Sequence, residues 1–464
     1  MISRALQAIG LQPAAPDRPL TANWKILRAI VIVSLCSIVA KGAATAKELV
    51  VAARFGRGDS VDAFLIALLV PTTILGLVAS TFNVALIPTY IRVREEQGAE
   101  AAQQLFSSVQ VASLVLLGIV SILVAAGAHF YLPLLGSGFD AAKLLLTQRL
   151  LYVLLPFIVL NGAIAIWSAV LNAGERFALP ALTPMVTPLV AVLTLLIFGR
   201  RWGIFSLAVG TVAGSGLEVF VLGCAMRIRG LRLRLRWCGI TPELNHVLGQ
   251  YLPMLGGALF MSTAPIIDQS MAAMLKPGSV AALLYGNRIV NVVTMLTSAA
   301  MATAVLPYFS QMTARKDWSG CRRTLKVYSL LILLVTIPIT LVLVAGSPLL
   351  TRLLYQRGAF TQADTTVVSG VQICFAFMIP VYTWCALLVR FISSLHRNDL
   401  LAYLAVLSAV LNVILNLALM KWLGVAGIAL STSLVYLISC ALLGFSALKL
   451  LREKREKQVE GVGQ

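Results

Sequence analysis

Seven charged side chains stand inside runs of otherwise apolar residues, and they are the groups in this chain that could do chemistry. Lys41, Lys47 and Glu48 lie in AKGAATAKELVVAARFG (40–56), Asp62 in DSVDAFLIALLVP, Asp268 in APIIDQSM, Arg288 in LLYGNRIV and Arg390 in ALLVRFIS. A Lys or Arg at the centre of a membrane-spanning helix costs about 2.5–3.5 kcal/mol on insertion scales, so such groups face a protein interior or a wet cavity. Four cations from three segments, spread over both halves of the chain, suit an anionic ligand held between the halves. The acids Glu48, Asp62 and Asp268 suit gating or ion coupling. The plainer reading is neutralisation within buried pairs, Lys47 with Glu48 or Asp268 with Arg288. Glu218 sits near the end of its segment, where packing or snorkelling is the simpler reading, and its role stays open.

Lys41 and Glu48 are seven residues apart and share one stripe of a helix, with Lys47 about 120° from Lys41. Small residues between them, from Ala40 to Ala46, permit close helix approach or line a cavity wall. Enzyme signatures are missing from the sequence: it has no G-x-x-x-x-G-K-[ST] phosphate loop and no H-E-x-x-H. Seven cysteines without a C-x-x-C pair and three histidines, His129, His246 and His396, offer neither a zinc site nor a buried proton relay. GRGDS at 56–60 reads as a polar turn. The expectation is a transporter without cofactor or metal, driven by the membrane potential or an ion gradient. One charge moved through 100 mV corresponds to about 2.3 kcal/mol.

The elements that must position these charges are transmembrane helices. The 464 residues are 59% hydrophobic and only 12% charged, about half the charge of an ordinary soluble protein. Apolar runs long enough to span a bilayer are expected over about 29–53, 62–91, 107–136, 147–172, 178–199 and 203–226. A second six follow over about 245–274, 280–310, 326–355, 366–394, 400–420 and 424–449. The fold class is thus all-α integral membrane, with twelve transmembrane helices. With both termini in the cytoplasm, inside loops and tails hold 23 of the 37 Lys and Arg and outside loops 10. This positive-inside bias accounts for the net charge of +19 without nucleic acid and predicts a multi-pass membrane protein with both termini in the cytoplasm.

The chain also repeats itself. ALIPTYIRVREEQG (85–98) aligns with AVLPYFSQMTARKD (304–317), and VAAGAHFYLPLLGSGF (124–139) with LVAGSPLLTRLLYQRGAF (343–360). Arg176 matches Arg397, and GIFSLAVGT (203–211) matches GVAGIALST (424–432). Two six-helix lobes follow, parallel repeats around a central cavity, the architecture in which one lobe rocks against the other to give alternating access. The expected organisation is a cytoplasmic segment 1–28, a first lobe 29–226, a basic linker 227–244, a second lobe 245–449 and a cytoplasmic tail 450–464. The linker, RIRGLRLRLRW, suits anionic lipid headgroups or ordinary positive-inside flanking.

ARFGRGDSVDAFLIALLVP (53–71), LNAGERFALPALTP (171–184), IIDQSMAAMLKPGSVAALLYGNRI (266–289), VLPYFS (305–310), LLYQRGAFTQAD (353–364) and LLVRFISSL (387–395) together resemble the MurJ/MviN lipid flippases of the multidrug/oligosaccharidyl-lipid/polysaccharide exporter superfamily, which includes the MATE transporters. The resemblance implies flipping of an undecaprenyl-pyrophosphate-linked glycan, either a lipid II-like peptidoglycan precursor or an exopolysaccharide or O-antigen repeat unit. It implies as partners that lipid-linked substrate, membrane lipids and the machinery of cell-wall or polysaccharide synthesis. Lys41 and Lys47 stand where the family usually has two arginines, Glu48 where it has an aspartate, and Asp62 and Arg288 where it has the same residues. Asp268 and Arg390 match commonly charged positions. Leu75 and Ser80 replace an arginine and a glutamate, and twelve expected helices replace the fourteen of many lipid II flippases, which keeps the exopolysaccharide reading open. Two other readings stay open, a drug/cation antiporter of the same superfamily and a non-transporting scaffold of a cell-wall complex. The cation count speaks against the antiporter.

Overall fold

The computed structural model describes residues 22–174, 176–228, 263–395 and 397–462, with isolated positions between 236 and 249. Most of the basic linker, the first part of the 245–274 segment, His246, His396 and most of the N-terminal segment lie outside the described residues. The helices run α1 (Ala22–Phe55), α2 (Asp59–Glu96), α3 (Ala99–Leu135), α4 (Ala141–Ala173), α5 (Ala178–Leu182), α6 (Val186–Trp202) and α7 (Phe205–Ile228). They continue with α8 (Thr263–Ala273), α9 (Ser279–Ala314), α10 (Trp318–Tyr355), α11 (Gln362–Ala376), α12 (Met378–Ser394), α13 (Asn398–Leu423) and α14 (Val425–Val462). Among the described residues there is no strand. Ten helical stretches there are long and apolar enough to cross a membrane, and they correspond to ten of the twelve expected spans. The other two are α1, 34 residues long and carrying Lys41, Lys47 and Glu48, and α8, the described end of the 245–274 segment.

Apolar length makes these helices, and polar residues set their ends. Asp140 caps α4 by accepting from the Lys143 N–H (2.7 Å), and Asp317 caps α10 by accepting from the Gly320 N–H (2.8 Å). Thr361 and Asp364 form a capping box on α11. Two spans are interrupted. The fifth is split into α5 and α6 by a 3-10 turn, Thr183–Met185, and the tenth into α11 and α12 at Phe377. Pro380, three residues past that second break, has no N–H to offer the Ala376 carbonyl, which instead accepts from the Thr340 hydroxyl (3.5 Å). Pro71 lies inside α2, and Pro265 is the third described residue of α8.

Helices of the first half pack chiefly on one another, α2 on α4, α6 on α7 and α4 on α7 and α3. Those of the second half do likewise, α13 on α14, α12 on α9 and α14, and α11 on α9 and α10. The repeat is visible in the helix starts: Asp59 and Ser279, Ala99 and Trp318, Ala141 and Gln362, Phe205 and Val425. Contact between the halves is narrower, through α2 with α9, α8 with α2 and α3, and α1 with α10. The closest of these contacts gather at the end of the bundle where α1, α3, α8 and α10 finish and α2, α4, α9 and α11 begin.

Candidate functional site

Three of the four expected cations come together around one acid. Arg288 of α9 places Nε 3.0 Å from Glu48 Oε2 of α1, an ion pair between the two halves that is 25% and 27% exposed. Arg288 Nε is shielded from solvent and makes no hydrogen bond, so the pair is held by charge without good N–H geometry. Lys47 and Lys41 also interact electrostatically with Glu48, and Lys47 with Arg288. Lys41 itself is exposed and Lys47 half-buried. A cluster with three cations and one carboxylate keeps an excess of positive charge on the seam between the lobes.

Arg390 is not part of it. Arg288 lies nine residues into α9, roughly 14 Å along the axis from the joined end of the bundle, whereas Arg390 lies 28 residues past Gln362, roughly 42 Å along α11 and α12. Among the described residues Arg390 makes no ion pair. The expected pairing of Asp268 with Arg288 is also not formed, because Arg288 is engaged by Glu48.

Above the cluster, toward the joined end, sits a buried aromatic layer. The rings of Tyr285 and Tyr355 are 5.1 Å apart, those of Tyr355 and Phe360 5.7 Å and those of Tyr285 and Phe360 6.0 Å. Tyr285 interacts electrostatically with both Glu48 and Asp62, and its buried hydroxyl has no hydrogen-bond partner among the described residues. Ala281, Tyr285 and Arg288 fall on one stripe of α9, at i, i+4 and i+7.

Beyond the aromatics the halves are clasped. Asp62 of α2, 1% exposed, accepts from the Gly278 N–H (2.7 Å) and the Ala281 N–H (2.9 Å), and pairs with Lys143 Nζ (3.2 Å). Gly278 is the N-cap residue of α9, in the left-handed region at φ +81°, and offers no side-chain cap. Asp62 supplies that cap from the other lobe, where the amides and the helix dipole favour a carboxylate. Lys143 also pairs with Asp59 and lies over the Phe139 ring. Arg57 Nε meets Asp364 Oδ1 at 3.1 Å.

Two backbone approaches complete the clasp. The Ala359 N–H donates to the Ala53 carbonyl (2.8 Å), one of the last carbonyls of α1, and Gly358 beside it, at φ +59°, leaves no room for a Cβ against that oxygen. Gly138, after α3, approaches the Ala273 carbonyl at the end of α8 equally closely. The two approaches are related by the repeat, since GSGF (136–139) aligns with RGAF (357–360).

Two further carboxylates are buried within single lobes. Asp268 of α8 accepts from Asn412 Nδ2 (3.1 Å), Asn416 Nδ2 (2.8 Å) and Thr432 Oγ1 (3.2 Å). Glu218 of α7 accepts from Thr187 Oγ1 (3.0 Å). Among the described residues no group of three or more His, Cys, Asp or Glu could hold a metal ion.

Comparison with known proteins identifies the family. A family model described as lipid II flippase MurJ matches residues 51–460. The chain belongs to that family. A probable lipid II flippase MurJ of a Synechocystis species is 26% identical over 426 residues, covering 88% of this chain and 79% of its own. One from Vibrio cholerae serotype O1 is 24% identical over 443 residues, covering 91% and 83%. Among solved structures, an inward closed conformation of the lipid II flippase MurJ superposes with a TM-score of 0.75 at 22% identity, over 91% of this chain and 90% of that one. An inward-facing multidrug resistance MATE transporter of the MOP superfamily gives 0.71 at 14% identity, over 92% and 99%. The fold is that of the MOP superfamily. Membership in the lipid II flippase MurJ family makes this chain a transporter rather than a catalyst, and a multi-pass protein of the bacterial inner membrane.

Sequence reasoning missed Arg57, Asp59, Lys143 and Asp364, all of them in or beside expected loops. The repeat contained the signal: aligning FDAAK (139–143) with FTQAD (360–364) puts Lys143 opposite Asp364, two opposite charges that grip the same 57–62 turn. It missed Asn412 and Asn416 as well, an i, i+4 amide pair in an apolar helix whose spacing aims both at one point.

Proposed function

We propose that the chain flips a polyprenyl-diphosphate-linked glycan, a lipid II-like precursor or an exopolysaccharide or O-antigen repeat unit, from the inner to the outer leaflet by alternating access. The observation that carries this reading is the cluster of Lys41, Lys47 and Arg288 about Glu48 on the seam between the lobes. A diphosphate brings the negative charge that such a cluster lacks, and its oxygens accept from guanidinium and ammonium donors. Two lysines receive it as compact charges, with less bidentate geometry than arginines would give.

Loop charge favours cytoplasmic termini, so the clasped end faces outward and the cluster is reached from the inner side. Asp62 then acts as the outer gate, and Glu48 as the counter-ion that the diphosphate displaces from Arg288. Arg390, near the inner end, fits a role in drawing the anionic head group inward. Asp268, held by amides and a hydroxyl, is the acid best suited to ion coupling. Membrane potential or an ion gradient supplies the energy. The MATE likeness extends to the fold, and a cation-rich seam favours an anionic cargo over cationic drugs.

Leaflet-specific detection of labelled lipid-linked glycan in proteoliposomes tests the reading. Protein-dependent exposure of the label on the far leaflet is expected, lost in Lys41→Ala and Arg288→Ala variants that insert normally. A scaffold would tolerate both substitutions, and full transport in either would overturn the assignment.

A further inference from the structure

Glu218 belongs to neither the seam cluster nor the clasp, and its surroundings differ from those of the other buried acids. Asp62 is met by two backbone amides and an ammonium group, and Asp268 by two amide nitrogens and a hydroxyl. Glu218 is just as deeply buried, at 3% exposed, yet among the described residues its carboxylate accepts a single hydrogen bond of good geometry, from Thr187 Oγ1. A carboxylate can accept about four, and an ionised one left with a single hydroxyl donor in a desolvated site is costly.

The elements packed against α7 are α4, α6 and the 3-10 turn at Thr183–Met185. Their charged residues, Lys143, Arg149, Arg200 and Arg201, and Arg227 of α7 itself, do not enter the surroundings of Glu218. What does enter is hydroxyl. Thr183, 3% exposed, lies close enough to the carboxylate to interact with it, but without hydrogen-bond geometry, and its Oγ1 has no partner. Ser215, fully buried, lies 3.4 Å from Thr187 Oγ1.

Thr183 belongs to the break in the fifth span, where Pro184 withholds the N–H that the Pro180 carbonyl would otherwise receive. A short 3-10 stretch within a span is a place where the helix can rearrange. The first helix, which carries Lys41, Lys47 and Glu48, packs against α5, this 3-10 turn and α6.

We propose that Glu218 binds an exchangeable proton, its protonated carboxyl group donating to Thr183 Oγ1 at the break in the fifth span. The proton comes from solvent and returns to it, with only the O–H bond made and broken. The added hydrogen neutralises the under-coordinated carboxylate, and turning the two side chains toward each other brings the partnerless threonine hydroxyl into bonding geometry. The inference goes beyond the flippase reading and is measured without transport, so the failure of either is distinguishable from the failure of the other.

Infrared difference spectra of the full chain in nanodiscs, recorded between acidic and alkaline buffers, test it. The expected result is a carboxylic-acid C=O band that disappears with rising pH, shifts in D2O, is absent from Glu218→Gln, and is unchanged when choline is replaced by sodium ions. Loss of the band on adding sodium at constant pH would overturn the proposal in favour of a metal cation. A band from Glu218 that does not titrate, or no such band at any pH, would overturn it also. Should Glu218→Gln not fold, Thr183→Val serves in its place: loss of the accepting hydroxyl is expected to move the band to higher frequency, and an unmoved band counts against the proposal.

Discussion

Charged groups join the lobes in two regions, the clasp and the cluster, and these are built on opposite principles. At the clasp, Asp62 is sealed from solvent and satisfied by the Gly278 and Ala281 amides and by Lys143. At the cluster, Glu48 and Arg288 are partly open and poorly aligned, and Lys41 and Lys47 leave positive charge in excess. Complete satisfaction suits a gate that closes without a ligand, as proposed for Asp62, whereas incomplete satisfaction suits a site that gains by binding one. Both lie along the same stripe of α9, separated by the aromatic layer of Tyr285, Tyr355 and Phe360. Displacing Glu48 from Arg288 therefore changes the charge beside the Tyr285 hydroxyl, which also senses Asp62.

The contrast can be broken most severely at Asp62. Asp62→Ala strands two helix-terminal amides and leaves Lys143 with Asp59 as its ion-pair partner, and is expected to weaken closure of the clasped end by about 3–5 kcal/mol. Spin labels at Ala142 and Ala363, exposed positions on opposite lobes, should report a longer distance. An unchanged distance would show that the apolar packing alone closes that end.

Arg288→Ala comes next. It removes a charge-assisted contact of about 1.5–3 kcal/mol, which corresponds to roughly 10- to 100-fold weaker binding of a diphosphate-bearing lipid, measured in nanodiscs, with the clasp distance unaltered. Arg288→Lys should recover only part of the loss, since an ammonium cannot bind bidentately.

Glu48→Gln sharpens the comparison in the other direction. Removing the internal competitor for three cations should tighten diphosphate-lipid binding by about fivefold, equivalent to about 1 kcal/mol, and slow its release. Weaker binding would mean that Glu48 orders the cations rather than competes for them. The smallest effect is expected from Arg57→Ala, because Asp364 keeps the Thr361 N–H and hydroxyl as donors when the guanidinium is removed. A change below about 1 kcal/mol in closure, visible as a slight shift in the same label distances, is the expected outcome.

Sequence by itself determined the membrane class, the spans and the repeat, because hydropathy over a span and spacing between turn residues are one-dimensional quantities. It also singled out Lys41, Lys47, Glu48 and Arg288, since the cost of a charge in hydrocarbon makes each one conspicuous without any knowledge of its neighbours. It could not distinguish Arg390, equally conspicuous and yet placed at the far end of the bundle. Nor could it foresee that Arg288 takes Glu48 rather than Asp268, or that Asp62 caps a helix of the other lobe. Those outcomes depend on which helix ends meet. Hydrogen bonds and ion pairs are decided over about 3 Å, and only the packing of the two lobes brings residues more than two hundred positions apart within that range.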